Sequence, residues 1–83
     1  MKTIGVIPKP TKKRLMQLLT LLESYKETKI TSLKIQSLTG WKDSLIRHDL
    51  WLIGFNNGVS NGYFVSDLIE KISDVYVRVY IVP

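Results

Sequence analysis

Residues 32–54 read SLKIQSLTGWKDSLIRHDLWLIG and contain two short helical patterns separated by a glycine. Ser32 is a candidate N-cap for a helix over about residues 32–38, because a serine oxygen accepts from free backbone N–H groups. Gly40 suits the left-handed conformation that commonly follows a helix. A second helix is predicted over about residues 42–53. Two helices joined by a tight glycine-containing turn predict a helix-turn-helix.

The segment before this stretch adds another helix and a short strand. After a lead-in over residues 1–10, a helix is predicted over residues 11–26, with Thr11 as its N-cap. The apolar side chains of this helix recur at helical spacing: Leu15, Leu18, Leu19, Leu22 and Tyr25. Ile30 and Thr31 then predict a very short strand. In the helix that follows, apolar contacts are expected from Leu33, Ile35 and Leu38.

The segment after this stretch is rich in glycine and asparagine. Residues 54–63 read GFNNGVSNGY, and this composition predicts a hairpin, the wing of a winged helix. Residues 66–72 predict a fourth helix with an apolar inner face. Residues 74–83 alternate strictly, which predicts a C-terminal β-strand. The expected fold is mainly α with a small β wing: a winged helix-turn-helix plus a C-terminal strand.

The composition fits one small folded domain with a basic surface. The chain has 83 residues, 45% of them hydrophobic, and a formal charge of +5. That charge favours nucleic acid or an anionic membrane surface as partner, although a merely basic protein has the same composition. With no cysteine, disulfides and thiolate chemistry are excluded. Because no stretch resembles a membrane span or a signal peptide, we expect a cytoplasmic protein without a membrane partner.

The helix predicted over residues 42–53 has one face that the core does not need. At about 100° per residue, three apolar side chains point inward: Ile46, Leu50 and Ile53. The opposite face carries hydrogen-bond donors and no carboxylate: Ser44, Arg47, His48 and Trp51. Because arginine can donate two hydrogen bonds to guanine, this face predicts contact with bases in the major groove. A solvated helix face is the simpler interpretation.

Individual residues of this helix leave alternatives open. Trp51 packs either against DNA or against the wing. His48, the single histidine, either contacts DNA or is an idle surface imidazole, and one histidine cannot form a multidentate metal site. Asp49 lies on the flank and is expected to pair with a nearby base or cap, with a structural role.

A basic cluster begins the first helix: Lys9, Lys12, Lys13 and Arg14. Cations are unfavourable at this end of a helix because the macrodipole is already positive there. The same end offers free N–H donors to phosphate. The cluster therefore predicts phosphate binding, with screened surface charge as the alternative.

Motifs of enzymes and cofactor sites are missing from the sequence. The glycines at positions 54, 58 and 62 lack the spacing and the strand-to-helix context of a dinucleotide-binding loop. No set of nucleophile, base and orienting group is visible. We therefore expect no enzyme, no metal site and no small-molecule substrate.

Several short motifs occur in a fixed order over residues 7–73: Ile7-Pro8-Lys9, Thr11, Arg14-Leu15, Ile46-Arg47-His48-Asp49-Leu50, Gly54, Gly62-Tyr63 and Val65. The set resembles the N-terminal winged-helix domain of the redox-sensing transcriptional repressor Rex family. The resemblance implies operator binding by a homodimer. In that family a Rossmann domain follows and binds NADH or NAD⁺; residues 74–83 resemble its first strand, and no nicotinamide site is carried over to this chain.

The sequence also departs from the Rex pattern. His48 replaces the second basic residue of the recognition helix, and Lys42 stands where an N-cap aspartate is often found. The wing carries asparagines such as Asn57 and Asn61 where the family usually has lysines. Asparagine can still hydrogen-bond to DNA, but His48 and the wing asparagines weaken the positive charge that the helix and the wing offer to it.

The sequence therefore predicts a winged-helix DNA-binding domain over residues 1–73, followed by a strand over residues 74–83 for pairing, dimerisation or the start of another domain. The leading hypothesis is a bacterial transcriptional repressor that places helix 42–53 in the major groove of double-stranded DNA. The predicted DNA contacts are Lys9, Thr11, Lys12, Lys13, Arg14, Ser44, Arg47, His48, Trp51, Asn57, Asn61 and Tyr63. The alternative is a protein-interaction module that adds strand 75–82 to a partner's sheet.

Overall fold

Helices and one small sheet make up the part of the chain that the structure describes. The structure is a computed structural model that describes residues 7–55 and 62–81, with side chains through residue 75. In chain order the elements are α1 (Lys9–Glu23), β1 (Lys29–Ile30), α2 (Ser32–Thr39), α3 (Asp43–Leu52), β2 (Tyr63–Phe64) and α4 (Val65–Ile81).

Helices α2 and α3 form the predicted helix-turn-helix. Gly40 follows α2 with φ of 86°, as predicted. The N-cap of α2 is Thr31 rather than Ser32: Thr31 is extended, and its Oγ1 accepts from the backbone N of Lys34 at 3.0 Å. Ser32 is already helical, so the prediction that it caps the helix is wrong. The bounds of α3 differ from the predicted ones by one residue at each end, which is ordinary scatter.

Replacing the cap residue gives a test of this assignment. Thr31→Ala is expected to lower the free energy of unfolding by about 1 kcal/mol, because the first turn of α2 loses its side-chain acceptor. The control is Ser37→Ala, an exposed position in the same helix, expected to change it by less than about 0.5 kcal/mol. Urea denaturation followed by circular dichroism measures both. Equal losses in the two variants would contradict the cap.

The two-stranded sheet connects the segment after α3 to the segment before α2. β1 and β2 are antiparallel, with Lys29 opposite Phe64 and Ile30 opposite Tyr63. The predicted wing enters β2, but residues 56–61, with Asn57 and Asn61, lie outside the described residues. Together α2, α3 and this sheet form a winged-helix-like arrangement.

The core draws on all four helices and both strands. The buried apolar residues are Ile7, Leu15, Leu18, Leu22, Ile30, Ile35, Ile46, Leu50, Ile53, Tyr63, Val65, Leu68, Ile72 and Val75. The predicted inner faces of the first, third and fourth helices are thereby largely confirmed. On α2 only Ile35 is buried; Leu33 and Leu38 are 64% and 47% exposed. Since α2 packs mainly through Ile35, the apolar contacts predicted for the two leucines are wrong.

The first helix begins earlier than predicted. Pro8 is extended and precedes α1, and its carbonyl accepts from the backbone N of Lys12 at 3.0 Å. Pro10 lies within the first turn, where its missing N–H has no helical acceptor to lose. The predicted start of the helix is therefore wrong: α1 begins at Lys9, and Thr11 lies inside the helix instead of capping it. Helix α1 also stops at Glu23 instead of residue 26.

The predicted C-terminal strand is helical over residues 74–81, and residues 82 and 83 lie outside the described residues. Helix α4 continues through Ile81 and crosses the boundary expected between residues 73 and 74. Its buried residues follow helical spacing: Val65, Leu68, Ile72 and Val75. Extending an existing helix needs no new nucleus, and β-branched residues cost only a few tenths of a kcal/mol each. The strand prediction is therefore wrong over residues 75–81, and the protein-interaction alternative loses the strand on which it rested.

Candidate nucleic-acid interface

Helix α3 turns a polar face away from the core. Its inner side chains and the C-cap Ile53 are at most 4% exposed, as predicted. The opposite side chains are all exposed: Ser44, Arg47, His48 and Trp51. The Arg47 side chain is 56% exposed. The donors that base contact requires are thus accessible.

The two aromatic rings on this face stack on each other. The ring centroids of His48 and Trp51 are 6.1 Å apart, with an angle of 29° between the planes, and Trp51 is 56% exposed. The pair forms a broad surface suited to packing against thymine methyl groups or sugars. Contact between Trp51 and the wing involves residues outside the described ranges and stays a prediction.

Polar contacts fix the N-terminus of α3. The Lys42 N-cap supplies no side-chain acceptor; instead Gln36 of α2 accepts from the backbone N of Asp43 at 2.8 Å. The Asp43 carboxylate accepts from Ser32 Oγ at 3.3 Å and from Arg47 Nη2 at 3.3 Å. The two helices of the motif are therefore tied together at the end where DNA recognition is predicted.

A buried ion pair ties α3 to α1. Asp49 is 4% exposed. Its carboxylate accepts from Arg14 Nε at 2.7 Å and from Arg14 Nη2 at 3.0 Å. The Thr11 hydroxyl donates to Asp49 Oδ1 at 3.1 Å and accepts from Arg14 Nη2 at 3.2 Å. The hydrogen bond to Asp49 raises the pKa of Arg14, against the lowering effect of burial. The prediction that Asp49 is paired and structural is confirmed.

This network changes the roles expected for Thr11 and Arg14. Thr11 is 3% exposed, so its side chain cannot reach DNA, and the direct contact predicted for it is wrong. The Arg14 side chain is 22% exposed and donates two hydrogen bonds to Asp49, so its charge is already paired with a carboxylate. Both residues position α3 against α1.

Three lysines occupy the start of α1, in the turns before Arg14, the residue through which α1 contacts α3. Lys9 and Lys13 are exposed and Lys12 is half-buried. The first turn of α1 contains no acidic residue. The start of α1 therefore presents positive side chains to solvent, as phosphate contact requires.

Tyr63 lies inside the protein rather than on its surface. It is 7% exposed, and its ring meets Phe55 edge-on with centroids 5.7 Å apart. Because Tyr63 is buried against Phe55, the structure gives no support to the direct DNA contact predicted for it. Burial raises the pKa of Tyr63 above its ordinary value of 10, while the charge of Arg47 acts in the opposite direction.

The raised pKa predicts a loss of stability in alkali. Above the unfolded pKa of about 10, the unfolded phenol ionises before the folded one, so stability present below that pH is lost as pH rises through the folded pKa. Tyr63→Phe is expected to reduce the drop in melting temperature between about pH 8 and about pH 11. Tyr25→Phe is the matched control and should keep the wild-type drop. An equal drop in Tyr63→Phe and wild type would contradict the burial argument.

Other kinds of site find no support among the described residues. Within residues 7–55 and 62–81, no group of three or more His, Asp or Glu side chains is placed to hold a metal. In the same ranges, no helix has the length and apolar character needed to cross a membrane.

The contacts at the start of α3 were not predicted from the sequence. Asp43 and Arg47 are four residues apart, and this spacing on a helix is a recognised signal for an ion pair. The contacts from Ser32 and Gln36 have no such signal, because they join separate helices.

An exposed, donor-rich helix in a helix-turn-helix with an adjoining small sheet defines the class of winged-helix DNA-binding domains. Residues 6–50 match the family model described as "Putative DNA-binding protein N-terminus". The match covers more than half of the chain, and this chain belongs to that family. It includes α1, β1, α2 and most of α3. No curated protein and no solved structure matches the chain.

Proposed function

We propose that this chain is the sequence-specific DNA-binding domain of a bacterial transcriptional repressor similar to the Rex family, with α3 in the major groove. The observation that carries the proposal is the exposed outer face of α3 in a chain of a DNA-binding family. That face offers donors to base edges, and the core holds it through the opposite side. The domain acts by binding, without a catalytic step.

The contacts divide into base readers and phosphate anchors. Base edges face the outer side chains of α3: Ser44, Arg47, His48 and Trp51. Phosphates meet the N-terminal lysines of α1: Lys9, Lys12 and Lys13. Within this proposal Asn57 and Asn61 add hydrogen bonds from the wing. Phosphate contacts set register and affinity, whereas base contacts set sequence preference.

The Rex resemblance extends the proposal to assembly and regulation. A homodimer would place two copies of α3 about one helical turn apart on a palindromic operator. A redox response would come from a nicotinamide-binding domain, as in that family, and not from residues of this chain. Because bacterial DNA is cytoplasmic, the proposed location is the cytoplasm.

A selection on random duplex DNA tests the proposal. The protein is expected to enrich a defined motif, with an inverted repeat if it binds as a homodimer. For the selected duplex, the logarithm of the binding constant should fall with the logarithm of salt concentration with a slope of roughly −3, if three lysines neutralise phosphates. Anionic lipid vesicles are the comparison ligand. Failure to enrich any motif, or tighter binding to vesicles, would overturn the proposal.

A further inference from the structure

The outer face of α3 has a carboxylate at its N-terminal edge. Asp43 lies one turn before Arg47, with Oδ1 3.3 Å from Arg47 Nη2. Its other oxygen accepts from Ser32 Oγ at 3.3 Å. The Asp43 side chain is 28% exposed, compared with 56% for Arg47, so the arginine reaches further into solvent than its partner.

A negative charge at this place has two possible uses. An acidic residue in the first turn stabilises a helix by its favourable interaction with the macrodipole. That role needs no contact with Ser32 or Arg47, yet Asp43 makes both. The Ser32 contact holds the Asp43 carboxylate, and the carboxylate in turn favours one orientation of the Arg47 guanidinium, which reduces the side-chain freedom that Arg47 would lose on binding.

We propose that Asp43 is a specificity-determining residue that holds Arg47 for guanine and excludes phosphate from it. This inference rests on the proposed DNA-binding function. A carboxylate within 4 Å repels a phosphate that approaches the same guanidinium. Guanine O6 and N7 are neutral acceptors and carry no such penalty. The Asp43 carboxylate can in addition accept from an exocyclic amino group of cytosine or adenine in the same groove.

Asp43 is therefore expected to lower the overall affinity for DNA and to raise the selectivity for one sequence. With Asp43 present, Arg47 contributes little to binding of arbitrary DNA, because its charge is partly compensated. Without it, Arg47 is free to bind any phosphate within reach, and binding to unrelated sequences strengthens. Asp43 is thus expected to lower the affinity for unrelated sequences more than it raises the affinity for the selected one.

The test compares Asp43→Asn with a matched charge change. Asp67 also lies in the first turn of a helix, α4, and is exposed. Asp67→Asn therefore alters net charge and helix-end electrostatics equally, at a position outside α3. The measured quantity is the ratio of dissociation constants for a scrambled duplex and for the duplex that wild type selects. Asp43→Asn is expected to lower this ratio roughly tenfold, mainly by tighter binding to the scrambled duplex, whereas Asp67→Asn leaves it unchanged.

Ser32→Ala provides a second variant that changes no charge. It removes one contact that holds the Asp43 carboxylate, so we expect a smaller fall in the ratio in the same direction. This variant also carries the test if Asp43→Asn does not fold. Equal ratios in wild type, Asp43→Asn and Ser32→Ala would overturn the inference while leaving DNA binding intact. If wild type selects no motif, the proposed function fails first and the inference falls with it.

Discussion

Asp49→Ala is expected to lower the free energy of unfolding by about 3 kcal/mol, because it breaks a largely buried ion pair by removing one partner. Asp49 is 4% exposed and accepts from Arg14 and Thr11. Without the carboxylate, the guanidinium and the hydroxyl lose their common acceptor. The value is at the low end for buried pairs because 22% of the Arg14 side chain remains exposed. Urea denaturation followed by circular dichroism measures the change.

Two further variants make this result specific. Glu70→Gln removes the same charge from an exposed position on α4 and should change the free energy of unfolding by less than about 0.5 kcal/mol. The double variant Arg14→Met with Asp49→Leu removes both charges and is expected to recover much of the loss, because no charge is left unpaired. A loss below about 1 kcal/mol for Asp49→Ala would mean that the pair does not hold α3 to α1.

Arg47→Ala is expected to weaken binding to the selected duplex by about 1–3 kcal/mol and to relax the preference at one base pair. Arg47 is exposed on the outer face of α3, where its guanidinium can reach guanine. Since Arg47 pairs with Asp43 through an exposed i,i+4 contact at 3.3 Å, we expect its loss to have little effect on folding. Fluorescence anisotropy with the selected duplex and with single-base variants of it measures both effects.

Lys13→Ala is the matched control for this prediction. Lys13 is also exposed, but it lies at the N-terminus of α1, where phosphate is the expected partner. Its loss should weaken all duplexes alike and reduce the magnitude of the salt slope by about 1. If Arg47→Ala also weakened every duplex equally, the assignment of Arg47 to bases and Lys13 to phosphates would be wrong.

Much of the helix-turn-helix could be predicted from local patterns. The spacing of Ile46, Leu50 and Ile53 identified the inner face of α3, and the structure buries all three. Gly40 marked the end of α2 because a positive φ is easiest for glycine. These features depend on residues within one or two helical turns, which is the range over which periodicity carries information.

The C-terminal segment shows where a local pattern was insufficient. Alternating β-branched residues after position 74 fit a strand, yet Val75 also continues the spacing set by Leu68 and Ile72. The second pattern prevailed because α4 was already formed and packs on α1, so each added residue extends an existing helix. Propensity is a weak prior and yields to packing of this kind.

For the candidate site, the amino-acid pattern alone established which face of α3 is exposed and that Asp49 needs a partner. It did not identify that partner: Arg14 is 35 positions away in the chain, and only the tertiary fold brings the two side chains together. Packing likewise placed Thr11 and Tyr63 inside the protein, and it brought the Gln36 side chain of α2 to the backbone N of Asp43 at the start of α3. Periodicity assigns a residue to a face, whereas the identity of its neighbour depends on how separate elements meet in space.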